Sequence, residues 1–495
     1  MSDLETASDP LVNHPSLYPG QLYIAGSWRD SSSGERADVI DPSTGNAIST
    51  VAEADLADVD LAVESARTSF EDGRWAALPG RIRARVLHKV ADLMRERADE
   101  LVAIESADVG KPVTFCRPVD VLTAADQYEY SSALAQTLDG SVRNNPFGAL
   151  AYTQREPYGV VAAITPFNFP LVLSTNKIAP ALAAGNSVIH KPAPDTPLSA
   201  IVMAQIFSEA GVPDGVVNVL TSTKASVADA LVRHSGVDKI AFTGSTGVGR
   251  LVASAAGQNL TSVSLELGGN GAQILFDDAD LERALPALVT GATFNSGQFC
   301  MGAPRVLVAR PLYDIVVARL VELLGAVVVG DPFDPDTQMG PMAGERHVQN
   351  VERFVAGARE DGADVVLGGR RLHIGGGFYY EPTIVVGAVN SSQIVQEEVF
   401  GPVVTIQAFD SEAEAVMLAN STAYGLAAGF HTTDVDRIPR VASALKAGIV
   451  WVNDWALLDP AVPFGGVKNS GFGRENGPEA LESFTKTKSV VISLR

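Results

Sequence analysis

Val160-Val161-Ala162-Ala163-Ile164-Thr165-Pro166-Phe167-Asn168-Phe169-Pro170 sets the fold class of this chain. Its first residues are apolar without alternation, and a Pro-Phe-Asn-Phe-Pro turn stops the run. A strand buried on both faces reads this way, and such strands belong to parallel sheets. Ligands bind where parallel strands end, so the turn is also the first candidate site. The pattern repeats downstream. Helices are predicted over 176–184 and 198–209, and strands over 188–190, 216–220 and 239–243. After residue 267 come a strand at 274–276, a helix at 280–295, and strands at 305–309, 365–367, 403–409 and 450–453. Strand and helix alternate, which is the pattern of a doubly wound α/β protein.

Upstream, residues 1–19 read as a flexible arm rich in Pro, Ser and Asp. Strands are predicted at 21–26 and 39–40, and helices at 55–69, 81–97 and 120–138, with Lys111-Pro112 as a break. A strand pair at 141–154 sits oddly between helices and reads as an arm leaving the domain. Residues 489–494 are β-rich and are expected to pair with the arm of a neighbouring subunit.

The chain has 495 residues, enough for two or three domains, and 46% hydrophobic residues, enough for a large core. Lys and Arg number 37 against 58 Asp and Glu, a net charge of −21. That balance argues against nucleic acid or an anionic membrane surface as a partner. Two cysteines, an acidic start and no apolar run of bilayer length point to a reduced, cytoplasmic setting. The seven histidines are scattered without metal-ligand spacing, so no metal site is expected.

Three stretches carry chemistry. Phe294-Asn295-Ser296-Gly297-Gln298-Phe299-Cys300-Met301-Gly302 places a thiol just after a Gly, as a tight loop would present it. A lone cysteine is more often a buried structural residue. Val263-Ser264-Leu265-Glu266-Leu267-Gly268-Gly269-Asn270, however, places one carboxylate in an apolar run before two glycines. Burial raises a carboxyl pKa and makes Glu266 a candidate base, so thiol and carboxylate form a covalent-catalysis pair. Phe242-Thr243-Gly244-Ser245-Thr246-Gly247-Val248-Gly249-Arg250 follows a strand and opens a helix, whose N-terminus favours a phosphate. It departs from the usual G-x-G-x-x-G fingerprint, and many strand–turn–helix units bind nothing.

Together, N-x-G-Q-x-C, L-E-L-G-G-N, F-T-G-S-T-x-x-G, the Lys191-Pro192 pair and E-E-x-F-G-P at 397–402 resemble the aldehyde dehydrogenase superfamily, in its order and across nearly the whole chain. The resemblance implies an NAD(P)-binding domain at 20–138 and 155–266, a catalytic domain at 267–477, and an oligomerisation element at 139–154 and 478–495. It implies a homodimer or homotetramer. Cys300 would be the nucleophile and Glu266 the base, Asn168 with the Cys300 N–H would form an oxyanion hole, and Lys177 and Glu475 would support proton release. Thr165, Pro166, Lys191, Thr243, Gly244, Ser245, Gly249, Leu267, Glu398 and Phe400 would hold NAD, with NADP possible. Phe169, Leu173, Phe294, Phe299, Met301, Trp455, Leu457, Leu458 and Phe464 would surround an apolar substrate channel. Residues 457–466, the 166–170 turn and Asn270 resemble phenylacetaldehyde and other aryl-aldehyde dehydrogenases, implying an aromatic or aryl-alkyl aldehyde.

Two positions depart from the family. Phe167 stands where many relatives have Trp. Pro194 stands where many NAD-preferring relatives have a Glu that repels a 2′-phosphate. A CoA-acylating enzyme is disfavoured because relatives using CoA commonly lack the carboxylate of Glu266. A semialdehyde dehydrogenase would need a cation in the channel, and none of the channel positions is Lys or Arg. A non-catalytic descendant should have lost Cys300 or Glu266.

Overall fold

The computed structural model describes residues 20–493, so the arm expected at 1–19 lies outside them. Two large sheets organise the rest. The first has eight strands, in the order Ser27–Arg29, Leu22–Ile24, Val217–Val219, Ser187–Lys191, Val160–Ile164, Lys239–Thr243, Ser262–Glu266 and Gly471–Phe472. Its five central strands are parallel. From Val160–Ile164 the chain winds through Ser187–Lys191 to Val217–Val219, then crosses back to Lys239–Thr243 on the other side. The reversal opens a crevice at the carboxyl ends of the strands.

Residues Val160–Ile164 are all buried because the sheet is covered on both faces. Val161 and Ala163 enter one core, built with helices Gly80–Glu96, Thr123–Leu134, Pro170–Ala184 and Leu198–Ala210. Val160, Ala162 and Ile164 enter the other, against Leu56–Glu71, Ala225–Arg233 and Thr246–Asn259. An uninterrupted apolar run is what two apolar faces demand.

The second sheet has seven strands, in the order Asp364–Leu367, Thr383–Val386, Val403–Phe409, Arg305–Ala309, Ala272–Leu275, Ala427–His431 and Ile449–Val452, parallel except for the first pair. The chain then returns, and Gly471–Phe472 pairs antiparallel with the strand carrying Glu266. A third, three-stranded sheet joins Val142–Arg143, Leu150–Pro157 and Thr485–Ile492. This corrects the expected tail pairing. The final strand pairs with the arm of its own chain, from Thr485 opposite Pro157 to Ile492 opposite Leu150. Helix Gly477–Ser483 returns the chain to the base of the arm, so the nearest free edge is its own.

Local departures have local causes. The helix expected at 120–138 is Thr123–Leu134, preceded by a wide π-helical turn at Cys116–Leu122. Pro118 lies in that turn and has no N–H for the ordinary ladder. The helix expected from residue 176 begins at Pro170, because proline suits a first helical position. The helix expected to reach residue 295 ends at Thr293, since Asn295 and Ser296 take left-handed backbone. Among the described residues no helix is long and apolar enough to cross a membrane.

Gly471 has φ of +111°, and a Cβ there would run into the Leu265 carbonyl beside Glu266. Gly471→Ala should therefore lower the thermal denaturation midpoint. Gly357, inside helix Glu345–Glu360 with open space around it, is the contrast. Gly357→Ala should stabilise by about 0.5–1 kcal/mol. Equal midpoints for the two variants in differential scanning calorimetry would contradict this account of the edge strand.

Candidate active site

The parallel strands of the first sheet end at one level. Ile164 lies opposite Lys191, and Thr243 opposite Glu266. Two glycines follow Glu266, and close approach explains both. A Cβ on Gly268 would run into the Glu398 carboxylate, and one on Gly269 into the Cys300 carbonyl oxygen. The Gly269 N–H donates to Glu398 Oε1 at 3.0 Å. The Asn270 amide donates to the carbonyls of Val395 at 2.8 Å and Glu397 at 3.1 Å. Buried Arg305 in turn donates to the Asn270 carbonyl at 2.9 Å. Strand end, cysteine loop and the 397–402 loop thus meet at one turn.

The cysteine loop is wound tightly. Asn295, Ser296 and Gly297 have φ of +50°, +54° and +69° in succession. Two of the three are not glycine, so hydrogen bonds must hold them there. Asn295 Nδ2 donates to the Asn168 carbonyl at 2.8 Å, and Ser296 Oγ to the Gly340 carbonyl at 2.8 Å. Gln298 Oε1 accepts from the Ala343 N–H at 3.0 Å. A Cβ on Gly297 would strike the Gly401 carbonyl of the opposing loop. The half-buried Cys300 follows; Cys116, the other free cysteine, is fully buried elsewhere.

Electrostatics set the protonation states. Burial pushes the Cys300 thiol pKa up, and the charges of Glu398, Glu266 and Glu475 push it further. Burial also holds Glu266 well above the ordinary carboxyl range, and the Glu475 charge adds to it. Neither Glu266 oxygen has a partner at full hydrogen-bond geometry, and the Gly466 amide that faces the carboxyl offsets only part of the rise. Burial raises Glu398 to about 8, against one backbone N–H.

Lys177, on helix Pro170–Ala184, donates to the Glu475 carboxylate and, at 2.5 Å, to Thr243 Oγ1. Glu475 is fixed by its backbone pairing with Phe464, 2.7 Å in both directions. Asn168 Nδ2 donates to the Gln298 carbonyl at 3.0 Å, which ties the Pro-Phe-Asn-Phe-Pro turn to the cysteine loop.

The remaining candidates fall in two groups. Toward the first sheet, Thr165 Oγ1 lies 3.0 Å from His190 Nε2. Lys191 Nζ donates to the carbonyls of Ser222 at 2.9 Å and Pro192 at 3.1 Å, and burial lowers its pKa to about 8. Ser245 caps helix Thr246–Asn259 by accepting from the Val248 N–H. Gly249 allows that helix to rest on Leu267. Half-buried Pro166 precedes Phe167, whose ring meets that of Phe400, edge to face, at 5.8 Å. Toward the second sheet, Phe169, Phe294, Phe299 and Trp455 form one ring cluster, with centroids 4.9 to 6.4 Å apart. The Trp455 indole N–H donates to the Met301 carbonyl. Leu173 borders the cluster half-buried, and Phe464 is buried beside Glu475. Leu457 and Leu458 are 62% and 41% exposed and stand outside the ring cluster, on the loop after Trp455. Gln298 and Arg305 were not singled out from sequence, and Asn270 only for its likeness to aryl-aldehyde dehydrogenases. Within their motifs nothing separates a residue that shapes the backbone from one that meets a ligand. Lys111, read as a helix break, is fully buried with its ammonium 3.8 Å from the centre of the Phe169 ring.

The family model for the aldehyde dehydrogenase family matches residues 28–490. Betaine aldehyde dehydrogenase of Staphylococcus aureus, solved with NAD+, superposes with a TM-score of 0.96 at 35% identity, covering 98% of this chain and 96% of that one. PnpE of Pseudomonas sp. WBC-3 superposes with a TM-score of 0.93 at 41% identity, covering 95% and 97% respectively. PnpE is also known in complex with nicotinamide adenine dinucleotide. With the thiol, the buried carboxyl and the strand-end crevice gathered at one turn, the chain belongs to the aldehyde dehydrogenase family.

Proposed function

We propose that this chain oxidises a neutral, apolar aldehyde, aromatic or aryl-alkyl, to its carboxylic acid with NAD(P)+. The observation that carries the reading is the turn at Gly268-Gly269, which packs the Cys300 backbone and the Glu398 carboxylate against the strand end bearing Glu266. Bound NAD(P)+ would supply the hydride acceptor. The residues fit it on three grounds. Lys191 has a third N–H beyond its two carbonyl partners. Gly247, at the start of helix Thr246–Asn259, faces open space. Glu398 is a carboxylate with a single hydrogen bond beside the thiol.

Cys300, only half-buried, gives up its thiol proton to solvent and attacks the carbonyl carbon as the thiolate. The growing oxyanion takes the Cys300 N–H and the second amide hydrogen of Asn168, whose first is spent on Gln298. Loss of hydride leaves a thioester on Cys300. Glu266 then takes a proton from the water that attacks the thioester. The proton leaves through Glu475 and Lys177, which are already joined. CoA release is disfavoured because Glu266 is present to activate water.

The ring cluster supports an apolar aldehyde. Betaine aldehyde dehydrogenases share the fold, but their substrate carries a cation, and here a buried ammonium already covers Phe169. Pro194 supplies no carboxylate against a 2′-phosphate, and neighbouring Asp195 is held by Arg346 and His347. NAD+ should be preferred modestly, with measurable NADP+ use. We further propose residues 20–138 and 155–266 as the cofactor domain, 267–477 as the catalytic domain, and the three-stranded sheet as the dimer- or tetramer-forming element of a cytoplasmic enzyme. Absorbance at 340 nm with purified protein, aliphatic and aryl aldehydes and both cofactors tests the reading. Absence of aldehyde-dependent NAD(P)H from every pair would reject it.

Glu266→Gln should keep a first-turnover burst near one NADH per site, while the steady state slows about a hundredfold to ten-thousandfold. Stopped-flow absorbance reads both phases. Loss of the burst would place Glu266 in thiol activation instead. Cys300→Ser should abolish both phases and Cys116→Ser neither.

Glu398 is the first of the charges that raise the Cys300 pKa after burial. Removing a negative charge favours the thiolate. Glu398→Gln, without cofactor, should therefore shift the pH profile of iodoacetamide inactivation to lower pH. An unmoved profile would separate the two groups electrostatically.

A further inference from the structure

Beneath the ring cluster lies a charged group the mechanism does not use. Gly110 ends helix Ala98–Val109 in left-handed backbone, and Pro112 prevents continuation. Between them Lys111 turns inward and is fully buried. Its ammonium donates to Asp120 Oδ1 at 2.5 Å and lies 3.8 Å from the Phe169 ring centre. Asp120 is equally buried and comes from the π-helical turn Cys116–Leu122; its second oxygen has no partner. Glu105 is also buried nearby, and burial raises it to about 8 although the Ser199 hydroxyl and the Leu171 amide face it.

An apolar side chain of equal volume would fill this place at no desolvation cost. The pair therefore calls for a role beyond packing, and Phe169 is the neighbour through which it can act. That residue follows Asn168 directly. Its ring lies 5.8 Å from Phe294, nearly parallel, and 4.9 Å from Phe299. We propose that Lys111, anchored by Asp120, is a positioning residue that holds the Phe169 ring and selects neutral over cationic aldehydes in the channel. The inference rests on the functional reading above. The physical basis is the ring quadrupole. A π system drawn toward one cation attracts a second more weakly. Four rings together would otherwise resemble a cage for a quaternary ammonium.

Lys111→Met alone strands Asp120 as an unpaired charge, so the informative protein is Lys111→Met/Asp120→Asn, compared with Phe169→Leu. Steady-state kinetics at saturating NAD+ would use phenylacetaldehyde as the neutral probe and betaine aldehyde as the cationic one. For the double variant we expect KM for phenylacetaldehyde to rise about threefold to tenfold with kcat within twofold, and KM for betaine aldehyde to fall. Phe169→Leu should raise KM for phenylacetaldehyde similarly, and combining all three changes should add nothing further. A folded double variant with unchanged KM for both probes overturns the inference and leaves the pair structural. If the double variant fails to fold, Phe169→Leu decides, and its keeping the wild-type selectivity overturns the inference. Failure of the wild type to oxidise any aldehyde would reject the functional reading and this inference with it.

Discussion

The site depends on a close approach of three pieces of backbone at a turn with no side chains. Gly268 and Gly269 admit the Glu398 carboxylate and the Cys300 carbonyl to distances that a Cβ would forbid. Methyl groups there would separate thiol, base and the 397–402 loop together, because all three are referenced to the same turn. Asn270 and Arg305 lock the arrangement from behind, one holding the 397–402 loop and the other holding Asn270. Precision at the site comes from backbone contact and amide hydrogen bonds, and the side chains that remain are free to do chemistry.

The two sheets divide the labour along this junction. The first ends its parallel strands at Ile164, Lys191, Thr243 and Glu266, where a helix N-terminus and open backbone favour a phosphate-bearing ligand. Helix Leu281–Thr293 and the cysteine loop deliver the thiol from the side of the second sheet. The chain then crosses back, so that Gly471–Phe472 extends the first sheet next to Glu266. That return also brings Glu475 to Lys177, a contact between residues 298 positions apart. The base and its proton exit are therefore assembled from both halves of the sequence.

How far the site could be read from sequence follows from what each interaction is made of. The Val160–Ile164 run was legible because two buried faces leave no room for alternation. The thiol and the carboxylate were legible because their chemistry is rare in apolar surroundings. Lys111 was not. A Lys before Pro reads the same whether its ammonium meets water or Asp120, and the eight residues between the partners cross a helix break and enter a π-helical turn. The left-handed pair Asn295 and Ser296 was equally hidden, since neither residue type requires that conformation and distant carbonyls impose it. The final strand was recognised as a strand but given the wrong partner. β-propensity marks an edge without saying whose edge completes it.

The distribution of charge finally sets the resting state of the cysteine. Lys177 and Arg474 face the carboxylates Glu475 and Glu266, and the charges that bear on the Cys300 thiol are negative. The resting thiol is thus protonated, unlike a thiolate stabilised by a cation. A protonated thiol is a poor nucleophile and a poor target for oxidation. It becomes reactive only as the thiolate, so its proton must leave before attack. Glu266, desolvated in the same site, is kept for the water that attacks the thioester. Burial therefore acts twice: it suppresses the thiolate at rest, and it tunes the carboxyl that later activates water.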